Sequence, residues 1–124
     1  MSFLWVFLGG GIGSLLRYGF ARLLGNIGVI LPVHTFVANI LACLLLGVIT
    51  GFSLAAKQSD FQKYFIAVGI CGGFSTFSTF ANEIVKLNQS DNFTISIVYM
   101  VTSLLLGVFA IIGGILISKY LMQF

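Results

Sequence analysis

Long apolar runs alternate with short polar breaks along this chain, and four of the runs are long enough to cross a bilayer. Phe3 to Leu24, Thr35 to Ala56, Tyr64 to Val85 and Ile95 to Ile117 are predominantly apolar, and each holds at least the roughly 20 residues that a bilayer core requires of a helix. Most polar residues collect in the connections around residues 25–34, 57–63 and 86–94. This pattern predicts an all-α integral membrane protein, one four-helix domain over residues 1–124 with almost no mass outside the membrane. A catalytic or binding module on either side has nowhere to sit.

The third window departs from a plain lipid-facing helix. It contains Gly72-Gly73-Phe74-Ser75-Thr76-Phe77-Ser78-Thr79-Phe80, with adjacent glycines and four hydroxyl side chains. Irregular backbone at membrane depth survives only where protein buries it or a wet cavity lines it. The stretch predicts a helix broken near its middle, at a site that handles an ion. If the helix resumes after Gly73, Thr76, Thr79 and Glu83 fall on one stripe, with Phe80 beside it and Phe77 next around. Phenyl edges carry the positive part of the ring quadrupole, so this border favours an anion without a formal charge. Ordinary aromatic packing accounts for the same residues equally well.

Composition agrees with the hydropathy pattern. Of 124 residues, 59% are hydrophobic and 7% charged, which places the chain outside the soluble class. Met1-Ser2-Phe3-Leu4-Trp5 lacks a basic leader and a small-residue cleavage site, so the first window reads as a spanning helix and not as a removable signal. Cys43 and Cys71 both fall inside spans and read as small apolar packing residues. Lys57, Lys63 and Lys119 fall to one side of the membrane, Arg22 and Lys86 to the other. Orientation follows Lys/Arg asymmetry; three against two leaves almost none, so insertion both ways and an antiparallel dimer are expected. Small-xxx-small pairs occur in every span, at Gly9/Gly13, Gly47/Gly51, Gly69/Gly73 and Ala110/Gly114. They allow close helix packing, within one subunit or between two.

Polar residues inside a membrane are costly and face the bundle interior. Two readings stay open for Arg17: its stem snorkels to the nearer interface, or its charge draws anions toward a vestibule. Asn39, about one turn into the second span, offers two donors and an acceptor, for an interhelical bond or for an ion. His34 reads as a helix-start residue. Glu83, near the end of its span, is expected in solvent or bonded to Thr79 one turn earlier. Tyr99 and Ser103, one turn apart with Thr102 alongside, continue a line of hydroxyls or bind backbone carbonyls. No nucleophile–base pair, metal-ligand cluster or phosphate loop occurs in the sequence, so no enzyme is expected.

The third-span run resembles the GGxTTFSTF signature of the Fluc (CrcB) fluoride channel family. Gly10 to Tyr18, as GGIGSLLRY, is similar to that family's first-helix GGxxGAxxRY; Thr35 to Asn39, as TFVAN, to its second-helix TxxxN; and Tyr99/Ser103 to its fourth-helix YxxxS. The resemblance covers all four spans in order. It implies a dual-topology antiparallel homodimer in the bacterial cytoplasmic (inner) membrane, with two pathways for fluoride and no nucleic-acid partner. It also implies a structural Na⁺ held by the main-chain carbonyls of Gly72 and Ser75. On matching positions Phe77 and Phe80 would be the pore phenylalanines and Asn39 the pore amide. Thr79, Glu83, Tyr99 and Ser103 would continue the polar track, with Arg17 as the first-helix arginine. Ser75 stands where the family has Thr, and Ala42-Cys43 where it commonly has Gly-Ser. Fluoride is small, strongly hydrated and an avid hydrogen-bond acceptor, so a path that dehydrates it must return donors, which Asn, Ser, Thr and Tyr supply. Nothing in spacing or composition separates fluoride from chloride.

Two other functions share some of these features. A small dual-topology proton-coupled multidrug-type transporter matches in size and charge balance, but depends on a carboxylate deep in its first helix, where this chain has none. A non-transporting subunit of a larger complex would have little use for a hydroxyl-rich break.

Overall fold

In a computed structural model, which describes residues 1–25, 27, 30–56 and 58–123, the chain is helical through nearly all of its apolar windows, with Ser75 and Thr76 extended inside the third. Helix α1 covers Ser2–Leu24 and α2 covers Val33–Ala55. The third span opens with α3, wound as a π-helix over Phe61–Cys71 and as an α-turn over Gly72–Phe74. It continues with α4, Phe77–Gln89, and the last span is α5, Phe93–Leu121. Among the described residues four helical stretches, with Phe61–Gln89 taken as one, are long and apolar enough to cross a membrane. The third and fourth run past their apolar windows because Lys63, Lys86 and Lys119 continue a helix as well as most residues do. Lys57, counted above on one side of the membrane, lies outside the described residues.

Side-chain pairings fix the helix directions. Trp5 lies edge-on to Phe61 and Phe65, with ring centroids 5.5 and 5.8 Å away, and Phe20 lies 5.3 Å from Phe74. Helices α1 and α3 therefore run parallel. Likewise Phe36 lies beside Tyr99 at 6.5 Å, and Gly51 lies against Ser118, so α2 and α5 run parallel. Thr76 bonds to Asn39 and Glu83 to Thr35, which sets α4 antiparallel to α2. The result is an up-down-up-down bundle.

Glycine explains the closeness of both parallel seams. A Cβ on Gly9 would collide with the Phe65 carbonyl oxygen, and one on Gly13 with that of Ile70. On the other seam, a Cβ on Gly47 would strike the Ile111 carbonyl, and one on Gly114 that of Leu44. The glycines of these small-residue motifs thus serve packing inside the subunit, where backbone-to-backbone approach replaces the hydrophobic drive that lipid removes.

Little of the molecule is interior. One buried cluster joins Ala38, Ala42 and Phe74, with Phe20 against it; a second joins Phe80, Leu87 and Tyr99. Large apolar side chains such as Leu15, Leu23, Leu104, Phe109 and Leu116 point outward, an apolar exterior that a water-soluble monomer does not carry. Between α4 and α5 the turn closes on Asp91 at φ 57°, a left-handed residue whose side chain tolerates the conformation. The Asn92 N–H reaches the Leu87 carbonyl and the Asp91 N–H that of Asn88, a Schellman-type stop.

Candidate functional site

The third span is interrupted two residues beyond the paired glycines, not at them. Gly72 is helical, at φ −65° and ψ −37°, and Gly73 lies within the following α-turn, against α1. The extended residues are Ser75 (φ −74°, ψ 157°) and Thr76 (φ −152°, ψ 115°). The glycines therefore supply close packing on α1, and the hydroxyl pair makes the interruption.

Each helix end at the interruption is healed by a hydroxyl. Ser75 donates from its backbone N–H and its Oγ to the Cys71 carbonyl, at 3.0 and 2.8 Å, which closes the end of α3. The Thr76 Oγ1 accepts the Thr79 N–H at 3.2 Å, an N-cap of the kind helix starts favour. It also donates to the Thr79 Oγ1 at 3.0 Å. Across the seam, the Asn39 Oδ1 accepts the Thr76 N–H at 2.8 Å, and its Nδ2 faces the Thr76 carbonyl at 3.4 Å. Arg17 reaches the same place from α1, where its Nε donates to the Gly73 carbonyl at 3.2 Å. It does not stand free. The carbonyls of Cys71, Gly73 and Thr76 thus have donors; those of Gly72 and Ser75 are not among these.

A groove of about 310 Å³ opens beside the interruption, and Asn39, Ser75, Thr76, Phe77, Phe80 and Ser103 help to line it. Phe77 is 79% exposed and Phe80 only 6%, their centroids 6.2 Å apart. The Ser103 Oγ is buried with no partner among the described residues. Thr102, by contrast, donates to the carbonyls of Val98 and Tyr99 on its own helix.

From Phe80 the contacts lead to a second cavity. The Phe80 and Tyr99 rings lie 5.2 Å apart, and the Tyr99 hydroxyl donates to Glu83 Oε2 at 2.9 Å. The Thr35 Oγ1 donates to Glu83 Oε1 at 2.6 Å, and the His34 Nε2 stands 3.7 Å from the same oxygen. Glu83 is therefore mostly buried and bonded to Thr35 and Tyr99, and not to Thr79 as its position in sequence suggests. It is the polar hub of three helices, with Thr35 and Tyr99 both nearly fully buried beneath it. Glu83 also borders an outer cavity of about 400 Å³, shared with Pro32, Lys86, Ser90 and Asn92. Sequence spacing alone does not pair Glu83 with Thr35 or His34, which lie 48 and 49 positions away. The signal for Thr35 was its place one turn before Asn39, on the same helix face.

Fold and site together define a multi-pass membrane protein with an interrupted third span and polar groups gathered beside it. Residues 4–115 match the model of the family described as CrcB-like protein, Camphor Resistance (CrcB). The chain is 40% identical over 121 residues to the fluoride-specific ion channel FluC of Flavobacterium psychrophilum, covering 94% of this chain and 96% of that one. It is 42% identical to fluoride-specific ion channel FluC 2 of Bacillus licheniformis, over 95% and 87% of the two chains. With the FluC of Thermus thermophilus it shares 40% identity over 86% of each. The chain belongs to the CrcB family, whose relatives here are named as ion channels and not as enzymes.

Proposed function

We propose that this protein is a fluoride-selective channel that lets fluoride leave the bacterial cytoplasm passively across the cytoplasmic membrane and so relieves its toxicity. The observation that carries the reading is the groove in which Asn39, Phe77, Phe80 and Ser103 meet beside the interrupted span, in a chain so similar to proteins named for fluoride. Its donors suit the ion. The Ser103 hydroxyl has no partner among the described residues, and the Asn39 amide makes only one long contact, at 3.4 Å. The Ser103 hydroxyl is free to replace water lost by fluoride, and the Asn39 amide has a second N–H beyond the one that faces Thr76. The Phe80 edge adds a weakly positive wall. Beyond it, Thr35 and Tyr99 hold Glu83 so that its charge is matched by short hydrogen bonds.

The working unit in this reading is an antiparallel pair. Balanced loop charge permits both insertions, and a phenylalanine as exposed as Phe77 beside a polar groove is covered economically by a second copy. A sodium ion fits the interruption by donor chemistry: hard cations in membranes take unwound main-chain carbonyls and half-helix C-terminal ends. Gly72 and Ser75 would hold it, while Cys71, Gly73 and Thr76 carbonyls already have donors. Bound there, it would supply fixed positive charge at the centre of the pair.

The test is fluoride efflux from loaded proteoliposomes, read with a fluoride electrode. Phe80→Ile removes the ring and keeps an apolar side chain; efflux is expected to fall tenfold or more in a protein that still folds. Unchanged efflux would remove Phe80 from the pathway.

A further inference from the structure

Arg17 is the only cation whose side chain is seen to bond to the interrupted segment among the described residues, and its contact is with backbone. The Nε donates to the Gly73 carbonyl at 3.2 Å, in the last turn of α3, where carbonyls lack intrahelical partners and the helix dipole is negative. The approach is built into α1. A Cβ on Gly13 would meet the Phe74 nitrogen at 2.8 Å, and one on Gly73 would meet the Gly10 Cα at 3.1 Å. One helical turn beyond Gly13, on the same face, stands Arg17; one more brings Phe20, whose ring packs on Phe74 at 5.3 Å. Gly10, Gly13, Arg17 and Phe20 therefore form a sill under the end of α3, glycine where the backbones touch and arginine where a carbonyl is open.

We infer that Arg17 is a positioning residue: it serves conduction by pinning the Gly73 carbonyl and hence the interruption, and not as a charge that draws anions to the pathway. With Ser75 on Cys71 and Asn39 on Thr76, it completes a set of donors that fixes three carbonyls of the segment and leaves others for a cation. The inference rests on the channel reading for its consequence, and on the hydrogen bond alone for its geometry.

Side-chain chemistry separates the two roles. Glutamine carries an amide nitrogen at the same position along the side chain as the arginine Nε, without charge. Lysine keeps the charge but moves its donor one atom outward, and methionine removes both. Two measurements are made on Arg17→Gln, Arg17→Lys and Arg17→Met: amide hydrogen exchange of peptides covering residues 70–80, and fluoride efflux across a range of fluoride concentrations.

Positioning predicts that Arg17→Gln retains exchange protection and a maximal efflux within about threefold of wild type. Arg17→Met is expected to lose tenfold or more of both, with the fluoride concentration for half-maximal efflux unchanged. The inference is overturned if Arg17→Lys behaves as wild type while Arg17→Gln loses efflux only at low fluoride, as an attracting charge requires. It is equally overturned if exchange over residues 70–80 is the same in all variants. Should Arg17→Met fail to fold, the contrast between Gln and Lys decides. If the wild type passes no fluoride, the channel reading fails, while the exchange order still judges Arg17.

Discussion

Replacing Asn39 probes the interruption from both of its sides at once. The Asn39 side chain accepts the Thr76 N–H at 2.8 Å and faces the Thr76 carbonyl at 3.4 Å. The short contact is a full hydrogen bond and the long one a weak bond. In Asn39→Ala the Thr76 N–H loses its partner in a half-buried position, a loss worth about 1–3 kcal/mol, to which the long contact adds little. A destabilisation of about 2 kcal/mol is therefore expected.

In Asn39→Asp the acceptor survives and the N–H bond gains charge assistance, which offsets the loss of the long contact to the Thr76 carbonyl, so stability changes little. Conduction suffers instead. A fixed negative charge about 4 Å from a passing anion opposes it by about 4 kcal/mol at an effective dielectric constant of about 20. A barrier of that size slows passage about a thousandfold. Equilibrium unfolding in mixed micelles and fluoride efflux from proteoliposomes read the two quantities separately. Asn39→Ala should lower stability and Asn39→Asp should abolish flux without lowering it. An alanine variant as stable as wild type, or an aspartate variant that conducts normally, would refute the reasoning.

Other substitutions test the packing and the polar hub. Gly47→Ala drives a methyl into the Ile111 backbone, whose Cα would lie 2.8 Å away; unfolding in mixed micelles should show a loss of about 1–3 kcal/mol. Gly11→Ala meets nothing within 4 Å and should leave the same transition unchanged or raised by up to about 1 kcal/mol. Glu83→Ala strands the donors of Thr35 and Tyr99, which are 2% and 3% exposed, and each charge-assisted bond is worth about 1.5–3 kcal/mol. Glu83→Gln keeps an acceptor for one of them and should be distinctly more stable than Glu83→Ala in that assay; equal stabilities would deny Glu83 its place as the hub.

How much of this was legible beforehand depended on how local each signal is. Hydropathy is local, so the four apolar windows could be read directly, and the run Gly72 to Phe80 was distinctive enough to carry the family. The work of single side chains was harder to see. Glu83 stands near the end of its apolar window, yet its partners Thr35 and Tyr99 are 48 and 16 residues away, beyond any i,i+4 argument. Thr76 read as part of a polar stripe with Thr79 and Glu83, but its hydroxyl and that of Ser75 are occupied with helix ends, because an interruption inside a membrane must satisfy its own backbone first. The glycine pair misled by two residues for a related reason: glycine marks close packing in a membrane helix as readily as it marks a break.

The central claim is that the groove beside Ser75 and Thr76 passes fluoride and rejects larger anions. Proteoliposomes of the wild-type protein, loaded with equal fluoride and chloride and followed with an electrode for each, test it directly. Fluoride should leave the vesicles while chloride stays. Equal loss of both anions, or retention of both, would contradict the account.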